Sequence, residues 1–336
     1  MTRRVAILGA TGLVGRTTLR LLETRGFPTE APRLLASEGE RTLPWRGRQI
    51  PVEAVSERGF EGIDLALLAV KNDLARRWAP PACAAGATVV DYSSAYRYDA
   101  DVPLVVPEIN GALLEARPKL IANPNCSTAA IVMTLAPLVR AVAIERLVIA
   151  TYQSMSGAGS ETLEAFERGV RGGLDGAPPP REDGRPALAY NVLPHIDRFE
   201  ENGYTREEMK IVWETRKILG LPELPVTATA VRVPVRVGHS AMVNAVLDRA
   251  LDPDEVRRLW AAFPGVTVVD DPVREGYPTP LAAEGRDEVL VGRLRRDVSH
   301  PRGLEWFLSS DNLLKGAALN AVQIAEALCR VGATAR

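Results

Sequence analysis

The apolar positions in the first third of the chain form short continuous runs that alternate with helical stretches. We predict helices over about Val14–Thr24 and Leu74–Ala85 in this region. Continuous apolar strands joined by helices are typical of a parallel sheet that is covered on both faces. The pattern therefore predicts a doubly wound α/β domain in the N-terminal part of the sequence. Its candidate strands are 5–9, 33–37, 63–70, 88–91, 104–107 and 119–123.

The hydrophobic pattern changes after a helix that we predict from Cys126 to about Arg140, with Pro137 ending or kinking it. The later strands are longer, several alternate apolar with polar residues, and few helices separate them. This pattern predicts an α+β domain with a mostly antiparallel sheet and helices on one face. We also predict a flexible surface loop over 173–186 and a long helix over Leu313–Val331. The candidate strands are 145–152, 226–235, 239–248, 266–270, 288–295 and 304–310.

Length and charge narrow the class of protein. The chain has 336 residues, too many for one ordinary core, which favours two domains. Its net charge of -1 gives no reason to expect a nucleic acid or a membrane surface as partner. No apolar run reaches the length of a membrane span, and we interpret the short run after the N-terminal arginines as a first strand, not a signal peptide. We therefore expect a cytoplasmic protein.

The cysteine usage agrees with that expectation. Cys83, Cys126 and Cys329 are an odd and sparse set, which argues against a disulfide framework and fits a reducing compartment. No cysteine and histidine have the spacing of metal ligands, so we expect no metal site.

A glycine loop, G-A-T-G-L-V-G over Gly9–Gly15, directly follows the first predicted strand and opens a helix. The glycines permit a tight turn and let the backbone approach a pyrophosphate, which the helix N-terminus attracts. This predicts a dinucleotide site in a Rossmann-like domain. Beyond the second strand, Ser37 and Arg41 suit a 2′-phosphate, whereas Glu38 and Glu40 would oppose one. The choice between NAD and NADP stays open from these residues.

Cys126 lies in N-P-N-C-S-T, where an extended segment gives way to a helix. A helix N-terminus lowers the pKa of a thiol and makes the thiolate available for attack. The alternative is a small buried hydrophobic residue, an interpretation that fits the surroundings of Cys83 and Cys329. The polar, turn-forming neighbours of Cys126 favour a nucleophile.

A cysteine nucleophile usually works with a base, and His239 is the best candidate. It follows a glycine at a strand edge, whereas His195 and His300 lie in predicted turns. A nicotinamide cofactor with a cysteine–histidine pair favours aldehyde oxidation through a thiohemiacetal and a thioester. If phosphate resolved the thioester, the site would require cations. The candidate cations are Arg97, Lys210 and Arg232, which would otherwise be ordinary surface residues.

Taken together, the motifs resemble the aspartate-β-semialdehyde dehydrogenase family, over nearly the whole chain. The resemblance implies a Rossmann-like domain over 1–126, completed by the helix 313–336. It also implies a glyceraldehyde-3-phosphate-dehydrogenase-like catalytic and dimerisation domain over 127–312, in a homodimer. The matching motifs between the glycine loop and D-N-L-L-K-G-A-A-L-N-A-V-Q-I-A-E (311–326) are D-Y-S-S-A-Y-R (91–97), V-P-E-I-N (106–110), N-P-N-C-S-T, T-Y-Q-S-M-S-G-A-G (151–159), N-G-Y-T-R-E-E-M-K (202–210) and V-R-V-P-V-R-V-G-H-S (231–240).

The resemblance also implies a role for each matched residue. Cys126 would be the nucleophile and His239 the general acid/base, with Gln153 positioning the substrate and the thiol. Arg232 would bind the substrate α-carboxylate and Glu207 its amino group. The phosphate-binding residues would be Arg97, Lys210 and Asn125. The cofactor-binding residues would be Gly9, Thr11, Gly12, Leu13, Val14, Ser37, Arg41, Ser156, Gly157 and Asn312.

The implied reaction is the reversible, phosphate-dependent and NADPH-dependent reduction of L-aspartyl-4-phosphate to L-aspartate 4-semialdehyde. It serves lysine, threonine, methionine and diaminopimelate synthesis. The family often has A-S-x-R-S-x-G after the second strand, with an arginine that favours the 2′-phosphate. Here A-S-E-G-E-R-T is shorter and lacks the arginine at that position, so strict use of NADP does not follow. One alternative is an N-acetyl-γ-glutamyl-phosphate reductase, although Glu207 suits a free ammonium group. Another is a catalytically silent paralogue, against which the presence of both Cys126 and His239 argues.

Overall fold

The computed structural model describes residues 2–39, 41–174, 176 and 184–334, with side chains up to Val331. The chain divides into two compact units. The first unit is Met1–Asn125 with Ala317–Arg336, and the second is Cys126–Gly316. Each unit has its own sheet.

The sheet of the first unit has seven strands in the order β3-β4-β2-β1-β5-β6-β7. Every neighbouring pair is parallel except β3 and β4, which pair antiparallel. The parallel, Rossmann-like sheet predicted from the continuous apolar runs is confirmed. The strands are β1 (Val5–Leu8), β2 (Arg33–Ala36), β3 (Arg41–Trp45), β4 (Arg48–Ala54), β5 (Leu65–Leu68), β6 (Thr88–Asp91) and β7 (Leu120–Ala122).

The helices of the first unit cover this sheet. One core forms where Trp78 and Ala79 of α2 pack with Leu8 and Leu68 of the strands. On α9, the Asn320 side chain donates to the Val105 carbonyl at 2.9 Å and to the Asn123 side-chain oxygen at 2.8 Å. The last helix is thereby tied to this unit. The helices are α1 (Leu13–Thr24), α2 (Asn72–Ala84), α3 (Pro107–Asn110) and α9 (Leu319–Thr334).

One prediction for this unit was wrong, and one hairpin was missed. The segment 104–107 is not a strand, because Pro107 starts α3 and Leu104 makes only an isolated bridge to Ala122. The hairpin of β3 and β4 was not predicted at all. Its turn places Arg46 at φ 46° and Gly47 at φ 74°, which is the conformation of a tight two-residue hairpin. Its strands are mostly exposed and carry a proline each, so they lack the apolar signal of a buried strand.

The sheet of the second unit has six strands in the order β11-β12-β13-β10-β8-β9. The pairs β12–β13, β13–β10 and β10–β8 are antiparallel, and the two outer pairs are parallel. The mostly antiparallel sheet is therefore confirmed. The strands are β8 (Ile144–Gln153), β9 (Val226–Arg232), β10 (His239–Leu247), β11 (Val266–Val268), β12 (Val289–Arg296) and β13 (Gly303–Ser310).

The central helix of the second unit is α4 (Cys126–Val139), which is buried from Ser127 to Leu138. A helix that is apolar on all sides is typical of a core helix. Thr134 of this helix binds two tryptophan side chains. Its carbonyl accepts a hydrogen bond from Trp260 Nε1 at 2.9 Å, and its hydroxyl accepts one from Trp306 Nε1 at 3.1 Å. The other helices are α5 (Ser160–Leu174), α6 (Arg206–Leu219), α7 (Pro253–Ala261) and α8 (Pro280–Ala283).

Three boundaries differ from the sequence expectations. Pro137 lies inside α4 and the helix continues to Val139. The predicted loop 173–186 begins within α5, which ends at Leu174, and its residues 175 and 177–183 lie outside the described residues. The last helix is preceded by a π-helical turn over Leu314–Ala318. Across the described ranges, no helix is long and apolar enough to cross a membrane, and no group of three acidic, histidine or cysteine side chains has a metal-binding arrangement.

Candidate active site

Three side chains of the second unit meet where neighbouring strands end or begin. Gln153 ends β8, Arg232 ends β9 and His239 starts β10. Gln153 and Arg232 are paired in the register of β8 with β9. In the antiparallel pair of β8 with β10, Tyr152 is opposite Ser240. This register brings Gln153, Arg232 and His239 to one edge of the sheet, although 85 positions separate Ser154 from His239 in sequence.

His239 is buried, with 2% of its surface exposed. Its Nδ1 accepts a hydrogen bond from the backbone N–H of Ser154 at 3.1 Å, and the Ser154 hydroxyl lies at the same distance. Within the described part of the chain, Nε2 has no hydrogen-bond partner. Burial and the charge of Arg232 lower the pKa of His239 to about 3, against a smaller opposing effect of Glu207. The imidazole is therefore uncharged at neutral pH.

Arg232 is also buried, and its guanidinium donates to the Ser154 carbonyl at 2.6 Å. Burial lowers its pKa, while Cys126 and Glu207 act in the opposite direction. A Cβ added at Gly157 would lie 2.9 Å from His239 Nε2 and 3.3 Å from Arg232 Nη1. The glycine therefore leaves space at a point that both groups face. The uncharged imidazole of His239 suits a carbonyl oxygen in this space, and the planar guanidinium of Arg232 suits a carboxylate.

Cys126 is the first residue of α4 and is only half-buried. It lies within electrostatic range of Arg232, whose positive charge favours the thiolate. A Cβ at Gly316 would lie 2.9 Å from the Cys126 Cβ, so the π-helical turn packs its backbone directly against the start of the helix. By contrast, Cys83 lies in the first unit, and burial raises the pKa of its thiol.

An ionic network begins on α6, whose capping box of Thr205 and Glu208 fixes the start of the helix. Glu207 and Lys210 then share one helix face. Glu207 accepts from Gln153 Nε2 at 3.0 Å with one oxygen and from Lys210 Nζ at 3.1 Å with the other. Lys210 also pairs with Asp197 at 2.7 Å. Although burial opposes it, pairing with the two carboxylates raises the pKa of Lys210.

Asn312 organises the other side of His239. Its side-chain oxygen accepts from the backbone N–H of Gly238 at 2.9 Å, and the hydroxyls of Ser154 and Ser156 lie 3.1 Å from it. All of these groups are buried. The amide is therefore held in one orientation, with its NH₂ group directed away from the three donors.

In the first unit, the glycine loop has the shape that the sequence predicts. Gly9 has a φ of 83°, and a Cβ there would overlap the Ala69 carbonyl; a Cβ at Gly15 would overlap the Gly9 carbonyl. Gly12 precedes α1 and offers no side-chain cap, so the first N–H groups of the helix stay available to an anion. A dinucleotide pyrophosphate therefore fits this loop.

The remaining predicted residues of the first unit differ in burial: some are exposed, some are buried and some are half-buried. Ser37 and Arg41 flank the turn between β2 and β3 and are exposed, while Glu40 lies outside the described residues. Arg97 is buried and donates to the carbonyls of Asn123 and Tyr92, each at 2.8 Å. Asn125 is buried at the end of the unit. Thr11, Leu13 and Val14 are half-buried in the glycine loop and the first turn of α1.

The sequence interpretation missed two residues of the second unit. Ser154 contacts His239, Arg232 and Asn312, yet in the sequence it is only the serine after Gln153. Asp197 pairs with Lys210 from a left-handed backbone conformation, φ 69°. Asp197 precedes Lys210 by 13 positions in a region without clear periodicity, so only the fold reveals the contact.

The depressed pKa of His239 predicts how stability depends on pH. Between the ordinary value of 6.5 and about 3, the unfolded chain binds a proton at this residue that the folded protein does not bind. The free energy of unfolding should therefore decrease as pH falls through this window, by at most about 1.4 kcal/mol per pH unit from this group. His239→Gln should give a shallower slope in urea titrations, and His195→Gln, which removes an exposed imidazole, is the matched control. Equal slopes for wild type and His239→Gln would contradict the prediction.

Comparisons with known proteins agree with this architecture. The family model described as semialdehyde dehydrogenase, NAD binding domain, matches residues 4–116. The model described as semialdehyde dehydrogenase, dimerisation domain, matches residues 135–315. Aspartate-semialdehyde dehydrogenase from Aquifex aeolicus is 45% identical over 99% of both chains. The enzyme of that name from Legionella pneumophila is 47% identical over 97% of this chain and 95% of its own length.

Solved structures give the same result. Aspartate semialdehyde dehydrogenase II from Vibrio cholerae, complexed with ASA, superposes with a TM-score of 0.94 at 41% sequence identity. The superposition covers 98% of this chain and 99% of that one. Sequence and fold thus agree, and the chain belongs to the aspartate-semialdehyde dehydrogenase family.

Proposed function

We propose that this protein catalyses the reversible, phosphate-dependent reduction of L-aspartyl-4-phosphate to L-aspartate 4-semialdehyde. The observation that carries the proposal is the buried pair of His239 and Arg232, whose Nε2 and guanidinium face the same space beside Gly157. Membership of the family supplies the reaction class. A reaction of this kind belongs to the synthesis of lysine, threonine, methionine and diaminopimelate.

In this proposal, Cys126 attacks the acyl carbon as a thiolate, phosphate leaves, and a thioester forms on the sulfur. Arg232 binds the α-carboxylate of the substrate through its planar fork. Glu207 binds the amino group of the substrate. The hydrogen bonds of Glu207 with Gln153 and Lys210 hold its carboxylate in place. Gln153 also orients the bound substrate.

Phosphate binding is assigned to three residues. Lys210 has a raised pKa and remains cationic, as a phosphate ligand must. Asp197 holds the ammonium group of Lys210 in place. In the first unit, Arg97 and Asn125 are also assigned to phosphate binding. The guanidinium of Arg97 is held by its hydrogen bonds to two backbone carbonyls.

The cofactor is assigned as NADP, with NAD as the alternative. When bound, a nicotinamide dinucleotide supplies or accepts the hydride. In the first unit, Gly9, Gly12 and the first turn of α1 suit its pyrophosphate, since a Cβ has no room at Gly9 and the helix start is open. In the second unit, Ser156, Gly157 and Asn312 keep the cofactor role implied by the family.

Arg41 is proposed to select the 2′-phosphate. Arg41→Ala should raise the KM for NADP about 10-fold and leave the KM for NAD unchanged, because one charge-assisted bond to phosphate is lost. Steady-state rates with both cofactors measure the effect. Arg48→Ala, an exposed arginine of β4, is the matched control. An equal change in the KM for NAD and in the KM for NADP would show that Arg41 does not bind the 2′-phosphate.

We further infer a homodimer formed through the face of the second sheet that carries Tyr152 and Phe307. Tyr152 is 37% exposed and its ring lies 5.8 Å from that of Phe307. Exposed aromatic residues are enriched at such interfaces. The sparse, odd cysteine set of the sequence supports a cytoplasmic location.

The experiment that tests the function is steady-state turnover of aspartate semialdehyde with NADP, in the presence and absence of phosphate. We expect formation of NADPH that depends on phosphate concentration and saturates. A rate that does not depend on the phosphate concentration would refute the proposal. The absence of any turnover would refute it as well. N-acetyl-glutamate semialdehyde serves as the comparison substrate, and faster turnover of this compound would favour the alternative reductase.

A further inference from the structure

We propose that the first unit binds a small organic anion, with a phosphate or carboxylate group, in a cavity between the starts of strands β1, β5 and β6 and one side of α9. The volume of this cavity is about 280 Å³. Pockets for drug-sized ligands typically measure about 300–1,000 Å³, so the cavity suits a smaller molecule. Binding at this place is independent of the reaction proposed above.

The cavity is separate from the dinucleotide site. Arg3 precedes β1, Leu65 starts β5 and Thr88 starts β6, so the lining residues lie where these parallel strands begin. The glycine loop follows Leu8, at the other end of β1. The four residues of β1 span about 13 Å at the usual rise per residue. Because dinucleotides bind outside the carboxyl ends of such strands, the ligand of the cavity is not the cofactor.

Asp64 is the only carboxylate among the described residues that line the cavity, and Arg4 engages both of its oxygens. The backbone N–H and Nε of Arg4 donate to Oδ2 at 2.8 and 3.3 Å, and its Nη2 donates to Oδ1 at 2.9 Å. These bonds lower the pKa of Asp64, and the charge of Arg3 acts weakly in the same direction. The negative charge of Asp64 is thus already balanced by Arg4.

Three positively charged residues line the cavity without a carboxylate bonded to them in the described part of the chain. Arg3 is half-buried, and its guanidinium makes no hydrogen bond or ion pair with a described residue. Arg117 donates to the Val331 carbonyl at 3.2 Å, and Lys119 donates to the Gly86 carbonyl at 3.3 Å. Backbone carbonyls orient these two cations and leave their charge uncompensated. A concave surface with such an excess of positive charge attracts anions.

The cavity also has a neutral donor and an apolar side. The Thr88 hydroxyl has no hydrogen-bond partner among the described residues, and it can donate to an oxygen of a ligand. Leu65 of β5 lines the cavity together with Ala325 and Leu328, which share one face of α9. Guanidinium and hydroxyl donors suit the oxygens of a phosphate or carboxylate, and the apolar side suits a short carbon skeleton. We therefore expect an organic anion to bind more tightly than inorganic phosphate.

Protection of Cys329 from alkylation measures the binding, because this half-buried cysteine lines the cavity. Phenyl phosphate is titrated into the enzyme with iodoacetamide, and mass spectrometry follows the peptide that contains Cys329. Saturating phenyl phosphate should slow this alkylation at least about 5-fold, because a ligand in a pocket is largely enclosed. Cys83, which is equally half-buried and does not line the cavity, is the internal control. Alkylation of Cys329 at the same rate with and without phenyl phosphate would overturn the proposal.

Two variants test the cations. Arg3→Gln and Arg117→Asn should each raise the Kd of phenyl phosphate at least about 10-fold, since each removes a charge-assisted hydrogen bond. Arg117 has a φ of 51°, and asparagine is one of the residues that tolerate this left-handed conformation. Arg48→Gln, at an exposed position of β4, is the matched control and should bind as the wild type does. The two variants change different segments, so misfolding of one leaves the other informative. An unchanged Kd in a folded variant of either kind would contradict the proposed contacts.

Further ligands distinguish the chemistry that is recognised. Benzoate replaces the phosphate group by a carboxylate, inorganic phosphate lacks the carbon part, and benzyl alcohol lacks the charge. Protection by phenyl phosphate or benzoate at concentrations at least about 10-fold lower than those of the other two compounds supports the proposal, and the tighter anion identifies the charged group. Equal protection by benzyl alcohol would overturn it. Cys126 lies in the second unit and in a different peptide, so these results stand even if phosphate-dependent turnover is not found.

Discussion

Cys126→Ala is expected to lower kcat by at least about 10⁴-fold, because without the thiolate no thioester can form. The residue is the first of α4 and half-buried, so alanine should keep the helix and the fold. Phosphate-dependent NADPH formation measures the loss. Mass spectrometry of wild type with semialdehyde and NADP, but without phosphate, should show an acyl adduct on the peptide that contains Cys126.

The other two cysteines provide the controls. Cys83→Ala and Cys329→Ala change residues of the first unit and should keep near-normal rates. If Cys126→Ala turned over at the wild-type rate, or if the adduct formed on Cys83 or Cys329, the nucleophile would be wrongly assigned. Loss of rate in all three variants would indicate general damage to the protein.

Arg232→Leu should lower kcat/KM for aspartate semialdehyde by about 10³-fold, since a buried guanidinium paired with a carboxylate contributes several kcal/mol. Arg232→Lys should still lose about 10²-fold, because an ammonium group keeps the charge but not the two-pronged geometry. Added guanidinium chloride should restore part of the rate that Arg232→Ala loses. It should not increase the rate of the wild type.

The structure also predicts a stability effect for this substitution. Arg232 donates to the Ser154 carbonyl at 2.6 Å, and the backbone N–H of Gly157 donates to the same carbonyl at 3.3 Å. Removal of Arg232 therefore takes away the shorter of two hydrogen bonds and should cost about 1 kcal/mol of unfolding free energy. Kinetics must therefore be compared well below the Tm of the variant. Arg236→Leu is the matched control, because that arginine is mostly exposed and pairs with Glu167 on the surface. A kcat/KM for Arg232→Leu equal to that of Arg236→Leu would remove Arg232 from the substrate site.

Much of the fold was predictable because the buried strands have strong local signals. Runs such as Leu65–Leu68 are apolar throughout, and a strand buried on both faces requires that pattern. The glycine loop was predictable for a similar reason, since Gly9 and Gly15 have no room for a Cβ. The hairpin of β3 and β4 was not, because its exposed residues carry little hydrophobic signal.

For the candidate site, the sequence by itself determined which chemical groups are present: a cysteine at the start of a helix, a histidine at the start of a strand and a set of cations. The tertiary structure decided how they interact. Strand pairing brought Ser154 to His239 across 85 positions and fixed which ring nitrogen accepts. Chain folding likewise paired Asp197 with Lys210. Such contacts depend on the register of distant segments, and local patterns do not encode which distant residues will meet.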